Sequence, residues 1–266
     1  MDEGIMIKLV DSHCHLDMLD LSENDGQLQP VIDRALEQGV CYLLNVCVSV
    51  NEFPTNLHTA ENYSFVGTSV GLHPNDREEE VDESDLIELG RHEKVVAIGE
   101  TGLDYYRSEG DLNWQRDRFR MHIRAANVLQ KPLIIHTRDA NEDTLKIMRE
   151  ENAKTGVMHC FTEDWEMALE ALEMGFYISF SGIVTFKNAS TIQEVAKRVP
   201  LNRMLIETDS PYLAPIPHRG KSNEPGYVIH TAEFLAALRG IPLEELAAQT
   251  TENFFRLFRG ATNPYV

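Results

Sequence analysis

The chain has 266 residues, is 42% hydrophobic, and sets 24 Lys and Arg against 43 Asp and Glu for a formal charge of −19. Length and apolar share allow either two domains or one large α/β barrel of about 250 residues. So acidic a body does not suit wrapping duplex DNA, which needs clustered cations against the phosphates, but it leaves room for a local basic site.

Short runs rich in β-branched and aromatic residues alternate with longer segments of helical period. Strands are predicted at "IKLVDSH" (7–13), "YLLNVCV" (42–48), "SFVGTSVG" (64–71), "VVAIGET" (95–101), "LIIHT" (133–137), "GVMHC" (156–160), "FYISFSG" (176–182) and "MLIETDS" (204–210). Helices are predicted over about 29–38, 52–62, 83–92, 112–130, 140–152, 164–174, 189–198, 227–239 and 243–258. Strand followed by helix, repeated in this way, is the pattern of a single-domain α/β fold, a (β/α)₈ TIM barrel spanning 1–266. An open doubly wound sheet would normally carry a Gly-rich phosphate loop, and "GETGLDY" after strand four is not one.

The start, "MDEGIMIKLV", has no cationic stretch followed by an apolar run, so no signal peptide is expected. No stretch reaches the ~18 apolar residues of a membrane span. Cys14, Cys41, Cys47 and Cys160 form no CxxC pattern and are too few for a disulfide scaffold, which suggests a reduced, cytoplasmic protein.

In a barrel enzyme the chemistry sits at the C-terminal ends of the strands. Those ends read His13 and His15, then His73, Glu100, His136, His159 and Asp209. Residues at i and i+2 of a strand share a face, so His13 and His15 should aim into the mouth while Cys14 and Cys160 face outward as packing. With His73 set apart as lying just beyond strand three, four histidines and two carboxylates exceed what one tetrahedral ion needs and suit two divalent metal ions. The expected assignment is His13, His15 and Asp209 on one ion, His136 and His159 on the other, and Glu100 bridging. The same alternation places Asp11 and Glu207 behind the ligands, as acceptors for imidazole N–H groups or as partners of Arg138. His58, His92, His122 and His230 read as structural, and His218 is left open.

The motifs "DSHCHLD", "GLHP", "AIGETGLDYY", "PLIIHTRDA", "MHCF", "SFSGIVTFKNA", "LIETDSPYLAP" and "HRGKSNEP" occur in the order of the TatD-type metal-dependent deoxyribonucleases, and the chain resembles that family over about 7–258. The resemblance implies an amidohydrolase-like barrel and metal-dependent hydrolysis of DNA phosphodiesters. It carries metal roles onto His13, His15, Glu100, His136, His159 and Asp209, with Mg, Mn or Zn as the working ion. Family members linked to other esters, including aminoacylated tRNA, keep that substrate class open.

The chemistry expected of such a centre is attack of a metal-activated hydroxide on phosphorus. Asp209 is then the natural acceptor of the water proton and His73 a donor to a phosphate or leaving-group oxygen, with Glu100 holding the ions together. Arg107, Arg138, Lys187, Arg219 and Lys221 follow the strands, with Tyr105, Tyr106, Trp114, Phe186 and Tyr212 among them. A small basic rim with stacking surfaces suits single-stranded DNA, at chain ends or over a few nucleotides. Nothing in the sequence calls for a membrane or an obligate protein partner. Relatives that bridge two metals with a carboxylated lysine are disfavoured, because the only lysine near strand four, Lys94, lies at the wrong end. A barrel that had kept its fold but lost its activity should show a replaced ligand, and none is replaced.

Overall fold

The computed structural model describes residues 7–263, so the N-terminal reading falls largely on residues outside that range. Eight strands form one parallel sheet in the order β1 to β8: β1 Leu9–Cys14, β2 Val40–Asn45, β3 Val66–Val70, β4 Val95–Asp104, β5 Leu133–Arg138, β6 Gly156–Met158, β7 Tyr177–Phe180 and β8 Met204–Ile206. A parallel bridge between Cys14 and Ser210 brings β1 back to the chain leaving β8. With the helices between the strands, this is the single-domain (β/α)₈ barrel expected.

The helices are α1 Gln29–Glu37, α2 Phe53–Asn62, α3 Glu83–Gly90, α4 Asn113–Leu129, α5 Asn141–Glu150, α6 Trp165–Glu173, α7 Ser190–Arg198, α8 Val228–Arg239 and α9 Leu243–Leu257. Local chemistry sets several ends. Asp164 caps α6 by accepting the Met167 N–H, and Pro lies in the first turn of α1 and of α2, where its missing N–H costs nothing. Among the described residues no helix is long and apolar enough to cross a membrane.

Apolar residues occupy two layers. The larger lies between strands and helices and takes Leu9, Leu43, Val95, Leu133, Ile178 and Met204 from the strands. The smaller takes Val10, Leu44, Val96, Ile134, Val157 and Leu205, the opposite face of the same strands, and fills the barrel interior. Phe254 and Phe258 join it and close the barrel at the end away from the mouth. Burying each such side chain contributes roughly 1.5–3 kcal/mol, so this filled interior forms a rigid base for polar groups above it.

The strands are less regular than their sequences suggest. Register shifts occur between Asp11 and Cys14 on β1 and between Ile98 and Thr101 on β4. Bulges of this kind turn side chains, and here they lie just before or at the polar tips of both strands. Val10 faces the interior, and Ser12 reaches Ser179 of β7 with its hydroxyl, 3.3 Å away. Leu9 and, by alternation, Asp11 therefore face outward, and the irregularity turns His13 inward. β6 and β8 end earlier than predicted, at Met158 and Ile206, so His159, Cys160, Glu207 and Asp209 stand on the segments beyond them.

Candidate metal centre

Glu100 lies at the centre of the mouth, 3% exposed. Its two carboxylate oxygens face different histidines. Oε2 is 3.3 Å from His13 Nε2. Oε1 is 2.9 Å from His159 Nε2, 3.2 Å from His136 Nδ1 and 3.4 Å from His73 Nε2. On the Oε2 side, His13 Nε2 and His15 Nε2 are 3.3 Å apart and lie 3.7 and 3.4 Å from Asp209 Oδ1. The rings of His13 and His159 stack at 3.9 Å. Three groups of donors could hold a metal: His13, His15 and Asp209; His73, Glu100 and His136; and His13, His159 and Glu207.

Proton positions follow from the outward nitrogen of each ring. His15 Nδ1 donates to the Val46 carbonyl at 2.9 Å, which leaves its Nε2 lone pair facing the mouth. His159 Nδ1 donates to Glu207 Oε1 at 3.2 Å and likewise presents Nε2. His136 is turned the other way: Nε2 donates to Asp104 Oδ2 at 3.2 Å, and Nδ1 faces Glu100. These are the outer-shell contacts by which proteins orient metal-binding imidazoles. His13 Nδ1 is buried without a protein partner. Inward lone pairs, two carboxylates and an orphaned buried imidazole nitrogen fit divalent cations of the hard or borderline kind.

His73 differs. Its Nδ1 accepts the backbone N–H of Asn75 at 3.1 Å, so the neutral ring carries its proton on Nε2, the atom facing Glu100. It is placed as a donor, although it stands within the ring of ligand candidates and not beside it.

The electrostatics follow from burial opposed by close partners. Desolvation works to raise the Glu100 carboxyl, but the charges of His159 and His73 and hydrogen bonds from His13 and His136 hold it well below the carboxylate range. Asp209 is lowered too: burial opposes, while the His15 hydrogen bond and the charges of His13, His159 and His15 prevail. Burial works to lower His15, yet its hydrogen bond to Asp209 and the Asp209 and Glu100 charges raise it to about 9.

The backbone explains two glycines of "GETGLDY". Gly99 and Gly102, on either side of Glu100, have φ of 140° and 133°, where side chains are strained. A Cβ at Gly102 would collide with the His136 carbonyl, so the close approach of β4 to β5 that lets Glu100 and Asp104 reach His136 needs glycine there.

Several expectations need correction. Asp11 does not serve an imidazole; its Oδ1 accepts the backbone N–H groups of Thr208 and His13 at 2.8 and 3.3 Å, because the β1 irregularity puts it on the other face. Arg138 pairs with neither Asp11 nor Glu207; its guanidinium lies 3.7 Å over the Tyr106 ring. Cys14 is buried as expected, but Cys160 is only half-buried: past the end of β6 it adopts φ 43° and sets Sγ 3.2 Å from the Ser181 hydroxyl. Tyr105 and Trp114 have other engagements, Tyr105 donating to Asp143 and Trp114 stacking with Arg118.

Asp104, the partner of His136, is the site residue that sequence reasoning missed. Four residues after Glu100 on β4, it was legible as a further acidic position at the end of the same strand. Gln115 was less accessible: from α4 it bonds the Pro74 and Asp104 carbonyls and the Asp104 N–H, joining the His73 loop to the β4 tip.

Comparison with known proteins agrees with this architecture. Residues 10–259 match the family described as TatD related DNase. The chain belongs to the TatD family. This TatD protein is 49% identical over 255 residues to the metal-dependent hydrolase YcfH of Escherichia coli, covering 94% of this chain and 95% of YcfH. It is 44% identical over 256 residues to the metal-dependent hydrolase YabD of Bacillus subtilis, covering 94% and 99% of the two chains. The crystal structure of the TatD homologue YjjV from Escherichia coli superposes with a TM-score of 0.87 at 27% identity, over 96% of this chain and 99% of the other. This member of the TatD family is accordingly a metal-dependent hydrolase.

Proposed function

We propose that this TatD-family protein is a two-metal deoxyribonuclease that cleaves phosphodiesters of single-stranded DNA, at chain ends or over short stretches. The observation that carries this reading is the division of Glu100, with Oε2 toward His13 and Oε1 toward His136 and His159. A carboxylate so placed would serve two cations, one that His13, His15 and Asp209 would hold and one that His136 and His159 would hold. When bound, a divalent pair lowers the pKa of water and offsets charge on the phosphoryl oxygens.

The chain's own groups do the rest. Asp209, kept ionised by its histidines, accepts the proton of the attacking water. His73 offers its Nε2–H to a non-bridging phosphate oxygen or to the leaving oxygen. Asn75 holds it in that tautomer and reaches Asp104 Oδ2 at 2.9 Å with its amide, so donor and ligand support are built together.

The rim supports a short anionic substrate. Arg138 lies on Tyr106 and Arg219 on Phe186, 4.3 Å from the ring, while Tyr106 and Tyr212 remain 62% and 54% exposed. Exposed rings beside cations offer stacking for bases and contacts for a few phosphates. The body's charge of −19 opposes a long duplex footprint. Binding should therefore weaken only modestly with salt, and a log–log slope of about −6 or steeper would contradict this.

The test is cleavage of a short single-stranded DNA by wild type and Glu100→Ala, each after EDTA and after return of Mg²⁺, Mn²⁺ or Zn²⁺. Metal-restored cleavage that Glu100→Ala lacks is expected, and the best ion names the cofactor. An inert, metal-replete wild type would overturn the nuclease reading and favour another ester, with aminoacyl-tRNA tested next.

A further inference from the structure

Away from the mouth centre, a second pair of imidazoles is held nitrogen to nitrogen. His218 lies on the long segment between β8 and α8, and His230 on the first turn of α8. Their Nε2 atoms are 3.2 Å apart, close to the 3.3 Å between Nε2 of His13 and of His15. Nitrogens bound tetrahedrally at about 2.0–2.1 Å from Zn²⁺ are separated by roughly this distance.

Both rings are fixed from behind. His230 Nδ1 donates to Glu233 Oε2 at 3.1 Å, so the His230 Nε2 lone pair is the one that faces His218. A carboxylate behind an imidazole in this way is the usual support of a metal-bound histidine. The His218 ring stacks on Tyr227 at 3.8 Å with 5° between the planes. Its backbone is pinned on both sides, His218 N–H donating to Pro215 and Lys221 N–H to the His218 carbonyl. Glu224 and Lys221 are the charged groups bearing on His218, and Arg34 binds Glu224 at 2.7 Å. The His230 side chain is 26% exposed, enough for an ion to enter and for water to complete its coordination.

We propose that His218 and His230 form a separate site for a borderline divalent cation, Zn²⁺, Ni²⁺ or Cu²⁺. Imidazole pairs favour these ions over Mg²⁺. Occupancy would tie the segment after β8 to α8. That segment carries Arg219 of the rim, and Asn223, whose amide bonds the Thr208 and Tyr212 carbonyls on either side of Asp209. The ion would thus stiffen one wall of the mouth without entering the centre.

The experiment counts metal and does not depend on the nuclease reading. Metal-free wild type, His218→Ala, His230→Ala and Glu233→Gln are loaded with Zn²⁺, desalted and analysed for zinc. Wild type should retain one equivalent more than either histidine variant, and Glu233→Gln should bind that equivalent roughly 10–100-fold more weakly. Excess Ni²⁺ should raise the melting temperature of wild type by more than that of His230→Ala, which keeps only the mouth centre to bind the ion, and Mg²⁺ should not reproduce that difference. His230→Gln guards against a folding defect in the alanine variant. Equal zinc content in wild type and both histidine variants would overturn the proposal. So would an extra equivalent indifferent to Glu233→Gln and bound only at millimolar zinc, the mark of an adventitious ion only.

Discussion

Glu207 Oε1 accepts the His159 Nδ1–H at 3.2 Å and also the Cys160 N–H at 2.7 Å, so one buried carboxylate sets both the ring and the backbone that carries it. It stands behind the His159 ring. Glu207→Gln should therefore weaken metal binding roughly 10–100-fold, with a folded protein and little change in substrate affinity at saturating metal. Calorimetric titration of the metal-free variant would check this, and wild-type metal affinity would refute it.

His73 is expected to act through its Nε2–H. His73→Asn or His73→Ala should leave metal content unchanged and lower kcat by about 10²–10⁴-fold, the usual worth of a positioned proton donor. A matching loss of metal would make His73 a ligand instead. Metal analysis beside single-turnover rates separates the two.

Gly102→Ala should be strongly destabilising. Its φ of 133° is strained for alanine, and the added methyl would collide with the His136 carbonyl. A loss of more than about 2 kcal/mol is expected, because the strained position and the collision act together. Denaturant unfolding of the metal-free protein measures it without any contribution from bound ions.

His122 makes stability depend on pH. Fully buried on α4, it accepts the Leu72 N–H at 3.0 Å, and burial holds its pKa at about 4 against an ordinary 6.5. Above 6.5 the ring is neutral in folded and unfolded chains, and its contribution is complete. As the pH falls below 6.5 the unfolded chain takes up a proton that the folded one refuses, so stability is lost until about pH 4. The shift corresponds to roughly 3 kcal/mol. In metal-free protein, His122→Gln should unfold at lower denaturant than wild type at pH 8, and the gap should narrow by pH 5. A constant gap would mean that His122 titrates normally.

Alternating β and helical runs make the barrel legible in the sequence, because each strand must bury one face inside and one against a helix, and each element prints that in its own residues. The polar strand ends were legible for the same reason: histidine and carboxylate where an apolar run stops stand out against the pattern. Strict alternation misplaces Asp11 and Cys160, because it breaks where β1 shifts register and where β6 stops at Met158, while Arg138 ends an unbroken β5 and is taken up by the Tyr106 ring. Asp104 was passed over because β4 runs to that residue, three beyond the predicted end.

By itself the sequence determined which residues gather at the mouth, since strand order and direction place every strand end on one rim. Only the tertiary structure decided what each atom faces. The split of the Glu100 oxygens, the reversed tautomer of His73 and the pairing of His218 with His230 depend on bulges, loop paths and partners from distant elements. Those are set by packing between elements, on which the residue order of any one element carries no information.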